Sequence, residues 1–209
     1  MQTHIKNILY AGKPFSISKK AIVMVHGRGA SAEDIVGLQN QLHINNFTIL
    51  APQATNHTWY PNSFLANPED NELWLTSALN LVDDCVQEIV HEGISSENIF
   101  IIGFSQGACL TLEYAARNAQ KYGGIIAFTG GLIGDKFYSE NYKGDFLETK
   151  IFIGTSDLDS HVPIQRVHAS TKILKEMNAN VIEKIYPNMP HTIIQDEINQ
   201  VNNLFFNVK

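Results

Sequence analysis

The chain has 209 residues, of which 15 are basic and 21 acidic, giving a formal charge of −6, with 44% hydrophobic and 17% charged residues. This is an ordinary globular composition, and the length suits one large core, a single domain over 1–209. No basic block stands out, which argues against a nucleic-acid partner. No apolar run approaches the ~20 residues of a membrane span, and Met1 to Asn7 lack the apolar region of a secretory signal, so a cytoplasmic protein is expected.

Short apolar runs alternate with amphipathic stretches, the pattern of a mostly parallel sheet with helices on both faces. Ile5–Tyr10 is expected to add an antiparallel edge strand, followed by a strand over Ala21–His26. Ser31, with Asp34 three residues on, resembles a capping box opening a helix over Ala32–His43. A strand over Phe47–Ala51 leads into the irregular segment Thr55–Asp70. Leu75, Ala78, Leu79, Val82, Val86 and Ile89 then keep helical spacing from about Asn71 to His91, and Gly93 suits the stop.

Further strands are expected over Ile99–Phe104, Gly124–Phe128, Ile151–Gly154 and Val181–Tyr186. Helices are expected over Ala108–Asn118, Pro163–Met177 and Thr192–Phe206. Thr129–Phe146, rich in glycine and aromatic residues, fits no regular element. Both irregular segments follow the carboxyl end of a predicted strand, where lids and binding loops of open α/β sheets lie. The two cysteines, Cys85 and Cys109, form neither a C-x-x-C pair nor a Cys/His cluster, so they read as small core residues and no zinc site is suggested.

The chemistry concentrates at Gly103-Phe104-Ser105-Gln106-Gly107, a G-x-S-x-G turn set between a predicted strand and a predicted helix. The five residues alone are a weak match; the flanking elements and the partners give it weight. A serine hydroxyl needs a base to remove its proton and an acid to orient that base. The chain order serine, acid, histidine is met by Ser105, by Asp157 or Asp159 after one strand, and by His191 after the last. Spacing alone leaves the two aspartates open.

Among the other histidines, His26 reads as a structural hydrogen-bonding group at a strand end, and His161 is expected to line the site. His4, His43, His57, His91 and His168 read as surface or helix-end residues. Stabilising an oxyanion calls for preorganised donors, expected at the backbone N–H of Gln106 and of Arg28 in the turn His26-Gly27-Arg28-Gly29. Neither phosphate-loop signature is present.

This set resembles the phospholipase/carboxylesterase family of α/β-hydrolases over about Ala21 to Phe205. The matching pieces are His26-Gly27-Arg28-Gly29, Gly103 to Gly107, Asp159-Ser160-His161-Val162-Pro163 and Met189-Pro190-His191. The resemblance implies an α/β-hydrolase fold and a serine esterase; serine acyl transfer needs no metal or organic cofactor, and no motif suggests one. It selects Asp159 as the acid, four residues before the proline, and Arg28 and Gln106 as the oxyanion donors. The thioesterase branch carries Leu at the Arg28 position and Gly-Asp where this chain has Gly29-Ala30, and Trp59 to Phe64 looks more like the bacterial esterase branch; both point away from protein depalmitoylation. The related dienelactone hydrolases use cysteine where this chain has Ser105.

One apolar wall over Ser105 is expected from Trp59, Tyr60, Phe64 and Leu65, and another from Phe128, Leu132 and Ile133, with an acyl or aryl ester of modest size as substrate. Arg28 raises a carboxylate on the substrate as a further idea. Lysophospholipase, thioesterase and lactonase activities remain open, as does a ligand-binding module on the same fold. Edge strands leave a homodimer open.

Overall fold

The computed structural model describes residues 3–207. Seven strands form one sheet: β1 (Ile8–Gly12), β2 (Lys20–Val25), β3 (Phe47–Pro52), β4 (Ile99–Phe104), β5 (Gly124–Phe128), β6 (Lys150–Ser156) and β7 (Asn180–Tyr186). Across the sheet the order is β1-β3-β2-β4-β5-β6-β7, with β1 antiparallel to β3 and the remaining neighbours parallel.

Why the middle strands are central is legible in β2. Ala21-Ile22-Val23-Met24-Val25 has no polar alternation, so both of its faces must be covered. Ala21, Val23 and Val25 join one core cluster with residues of α2 (Pro68–His91), α3 (Gln106–Arg117) and α4 (Ile164–Glu176). Ile22 and Met24 join a second cluster with residues of α1 (Ala32–Val36) and α5 (Gln195–Val201). The two-residue period of a strand thus sorts its side chains into the two layers.

Parallel pairing also sets the location of the chemistry. Val25 pairs with Gly103, Phe104 with Phe128, Phe128 with Gly154, and Ser156 with Tyr186. The carboxyl ends of five strands therefore reach one edge of the sheet, and the loops that follow them share that edge.

Several boundaries differ from the sequence expectations, each for a local reason. The edge strand starts at Ile8, because the Ile5 N–H donates to Thr55 Oγ1 outside the strand ladder. The Ser31–Asp34 capping box forms, but α1 ends at Val36 and continues as a tighter 3₁₀ turn over Gly37–Asn40, where glycine weakens the helix and Asn40 Nδ2 donates to the Gly37 carbonyl. α2 begins at Pro68, three residues before the apolar spacing suggests, since Asn67 caps it and proline suits its first turn. α5 begins at Gln195, and its end widens into a π turn over Asn202–Phe206. There Asn202 is tied to Gln41 O and to the His43 N–H, and Phe205 and Phe206 pack on Phe100.

Glu197 of α5 is fully buried. Its Oε2 accepts from the Ile194 N–H at 3.0 Å, while Oε1 lies where a Cβ on Gly154 would meet it at 2.2 Å and has no hydrogen-bond partner among the described residues. Burial pushes this carboxyl up to about 7 from 4.5, against the opposing Ile194 N–H. A carboxyl that holds its proton more tightly when folded stabilises the fold fully below pH 4.5 and loses that contribution as pH rises through about 7. Glu197→Gln is expected to flatten the pH dependence of unfolding free energy between pH 5 and 8, removing a fall of about 3 kcal/mol; denaturant titrations at four pH values measure it.

Candidate active site

Ser105 stands between β4 and α3 with φ 54° and ψ −118°, a left-handed conformation for a residue with a side chain. Two close approaches hold this turn. A Cβ on Gly103 would lie 2.3 Å from the Gly107 carbonyl oxygen, and one on Gly107 would lie 2.2 Å from the Val25 carbonyl oxygen. Any other residue at either position would push α3 away from β2 and β4. The Ser105 N–H donates to Phe128 O at 3.0 Å, which ties the turn to the neighbouring strand.

His191 arrives from the loop after β7. Its Nε2 is 2.7 Å from Ser105 Oγ and its Nδ1 is 2.6 Å from Asp159 Oδ2. Phe104 packs against the imidazole at 5.3 Å and His161 meets it edge-on at 4.8 Å between ring centres, so the ring is held on two sides. The Asp159 side chain is fully buried, and its Oδ1 accepts the His161 and Val162 N–H groups at 2.8 Å each. Burial raises the pKa of this carboxyl, but the His191 ring and the two N–H groups outweigh it and hold the group below 3.8.

Asp157, the alternative that spacing left open, turns elsewhere: its Oδ1 accepts the Asn188 N–H at 2.8 Å and braces the loop that carries His191. Spacing from the strand end does not mark that difference; Pro163, four residues after Asp159, is the sequence feature that separates the two. His26 is buried and structural as expected, accepting from the Ala54 N–H through Nε2, with Nδ1 2.7 Å from Gly27 O. His4 departs from its surface reading. It is partly buried, with Nε2 on Trp59 O and Nδ1 accepting from the Thr55 N–H.

The backbone N–H groups of Arg28 and Gln106 donate to no protein group among the described residues. Their side chains do something the sequence did not reveal: both fasten the segment Thr58 to Asn62. Gln106 Oε1 accepts from the Trp59 N–H at 2.9 Å and from Thr58 Oγ1 at 3.3 Å, while Nε2 donates to Tyr60 O at 2.8 Å. The Arg28 guanidinium donates to Tyr60 O, Pro61 O and Asn62 O at 2.7–2.9 Å. The Gly29 N–H donates to His57 O at 2.7 Å.

A cavity of about 460 Å³ opens over Ser105 and takes in Arg28, Tyr60, Phe64, His161, Val162 and His191. Tyr60, Phe64 and His161, expected from the sequence near Ser105, line this cavity. Trp59 does not: its ring is fully buried beneath the loop, with Nε1 donating to His26 O, because an indole N–H in the core needs an acceptor. Leu132 is likewise core rather than wall. It is fully buried, and its N–H is held by Ser170 Oγ. Leu65, Phe128 and Ile133 are also absent from the cavity wall. Cys109 lies at the cavity floor, although its apolar helix position read as plain core; burial pushes its thiol up to about 12, which keeps it protonated and unreactive. Among the described residues no group of three His, Cys, Asp or Glu side chains could hold a metal ion, and no helix is long and apolar enough to cross a membrane.

Comparison with known proteins places this site in a family context. The sequence profile of the phospholipase/carboxylesterase family matches residues 12–206. Acyl-protein thioesterase 1 of Saccharomyces cerevisiae is 32% identical over 124 residues, covering 58% of this chain and 55% of that protein, so the match spans about half the length of the relative. The crystal structure of a phospholipase/carboxylesterase from Dyadobacter fermentans superposes with a TM-score of 0.98 at 55% identity, covering 99% of each chain. A Bacillus cereus carboxylesterase shares the fold at TM-score 0.78 and 17% identity, over 96% of this chain and 93% of its own.

The clamp formed by Gln106 generates a direct test. Gln106→Ala removes three hydrogen bonds and leaves the buried Trp59 N–H without an acceptor, an expected loss of about 1–3 kcal/mol in stability. Denaturant unfolding measures the loss, and hydrogen exchange at Trp59 and Tyr60 localises it.

Proposed function

The chain belongs to the phospholipase/carboxylesterase family, and we propose that it is a serine hydrolase that cleaves small carboxylic esters through an acyl-enzyme. The observation that carries this reading is the unbroken hydrogen-bond chain Ser105–His191–Asp159 at 2.7 and 2.6 Å. Ser105 Oγ attacks the ester carbonyl carbon as His191 Nε2 takes its proton. The imidazolium is stabilised by Asp159, whose carboxyl is held in its charged form. The tetrahedral oxyanion sits against the N–H groups of Arg28 and Gln106. Collapse breaks the bond to the alcohol oxygen, which receives the His191 proton and leaves. Water then repeats the sequence in reverse, giving the acid and restoring Ser105.

The left-handed backbone at Ser105 supports catalysis over simple ligand binding. Such a conformation costs roughly 1–3 kcal/mol, and a binding module would gain nothing from it. The same apparatus acts on thioesters, and the yeast relative's name leaves that substrate class within the proposal. The cavity's modest volume and the polar Asn62 and Ser63 at its rim favour small esters over long acyl chains. The lack of basic blocks supports a small molecule over a nucleic acid as substrate.

Exposure to a fluorophosphonate followed by intact-mass analysis is expected to add one adduct to the wild type and none to Ser105→Ala. Asp159→Asn is expected to lower ester turnover by roughly three to four orders of magnitude. Asp157→Ala, which loosens only the Asn188 tether, is expected to retain far more activity. Equal losses from the two aspartate variants would remove Asp159 from its assigned role.

A further inference from the structure

We propose that the guanidinium of Arg28 selects substrates carrying a carboxylate close to the scissile ester, an inference that rests on the hydrolase reading above. The first observation is charge. Arg28 is the cationic side chain on the cavity wall, and among the described residues no carboxylate is paired with it. Its three hydrogen bonds go to neutral carbonyls of Tyr60, Pro61 and Asn62, which fix the group in place without neutralising it. A guanidinium has five N–H donors, so two remain for a ligand.

The second observation is placement. The Tyr60 carbonyl that accepts from Arg28 also accepts from Gln106 Nε2, so a single oxygen atom separates the guanidinium from the side chain that follows the nucleophile. The guanidinium is directed at this wall rather than away from the protein, and its field reaches the buried Tyr60 phenol, where it opposes the rise that burial produces. The third observation is the lack of a competing negative charge. The acid beside the cavity, Asp159, is already matched by His191 and two N–H groups. A substrate carboxylate would therefore meet a fixed, partly hydrated cation next to the oxyanion donors, with no carboxylate to repel it.

The ester position relative to the carboxylate defines two substrate types. One is the monoester of a short dicarboxylic acid, with the charge on the acyl side; the other is an acyl ester of a hydroxy acid, with the charge on the alcohol side. The test follows hydrolysis by pH-stat on the full chain. It compares the monoethyl ester of a short dicarboxylic acid with the ethyl ester bearing an amide in place of the carboxylate, and the acetyl ester of a short hydroxy acid with its amide. The wild type is expected to prefer the acidic member of one pair in kcat/KM. Arg28→Gln is expected to lower that preference roughly five- to ten-fold, and Arg28→Lys to keep more of it.

Identical acid-to-amide ratios in wild type and Arg28→Gln for both pairs would overturn the proposal. Should Arg28→Gln fail to fold, the wild type alone decides: rising NaCl is expected to erode the preference, and a salt-independent ratio would overturn it. Fluorophosphonate labelling of Ser105 with flat ratios removes this inference and leaves the hydrolase intact. Absence of both labelling and ester turnover removes both.

Discussion

The turn at Ser105 is the constraint on which the rest of the site depends. A positive φ at a serine persists only if its surroundings leave the backbone no alternative, and here they are the Gly103–Gly107 approach, the Gly107–Val25 approach and the Ser105 N–H bond to Phe128. These contacts involve β2, β4, β5 and α3 together. The placement of the hydroxyl is therefore a property of the sheet as a whole. The apolar runs that bury both faces of the central strands are what make the turn affordable.

The turn at Arg28 and the cavity wall are a second unit built on the first. Arg28 and Gln106 each have a backbone N–H with no protein acceptor among the described residues, and each use a side chain to hold Thr58 to Asn62. The wall is thus positioned both by hydrogen bonds to its backbone and by burial of Trp59, Tyr60 and Phe64 in the core beneath it. That explains why a segment with no regular secondary structure over much of its length can still present Tyr60 and Phe64 in fixed places. It also links the geometry of the proposed oxyanion donors to that of the cavity, since moving either side of the clamp strains the other.

Fold class, strand sequence and the Ser105–His191 pairing were legible in the chain because each rests on local pattern: β-branched runs, helical spacing, and residue order along strand ends. The limits were equally physical. Spacing could not separate Asp157 from Asp159, as both leave the same strand end and differ only in whether the carboxylate turns to Asn188 or to His191. The family resemblance chose Asp159, and the hydrogen bonds agree with that choice. Trp59 and Leu132 were misassigned to the cavity because an apolar residue on a loop has the same sequence signature whether it faces a ligand or the core. Only the acceptor at His26 O for the indole, and the hydroxyl of Ser170 holding the Leu132 N–H, decide the matter. Helix ends moved by several residues where side chains such as Asn67 and Asn40 made bonds that apolar spacing does not encode.

The electrostatics of the site follow from how each charge is matched. Asp159 is buried and held negative by three donors, the His191 ring among them, so its charge is matched within the protein. Glu113, buried behind the wall, is paired with Arg117 and accepts the Ile133 N–H. Arg28 differs from both. It sits among carbonyls that orient it but carry no formal charge, and it is exposed enough to keep its hydration. In a chain of net charge −6, Arg28 is a cation on the cavity wall without a carboxylate partner among the described residues. If Arg28 selects acidic esters as proposed, its charge acts on the incoming molecule before any contact is made, and so bears on which esters arrive as well as on which ones fit.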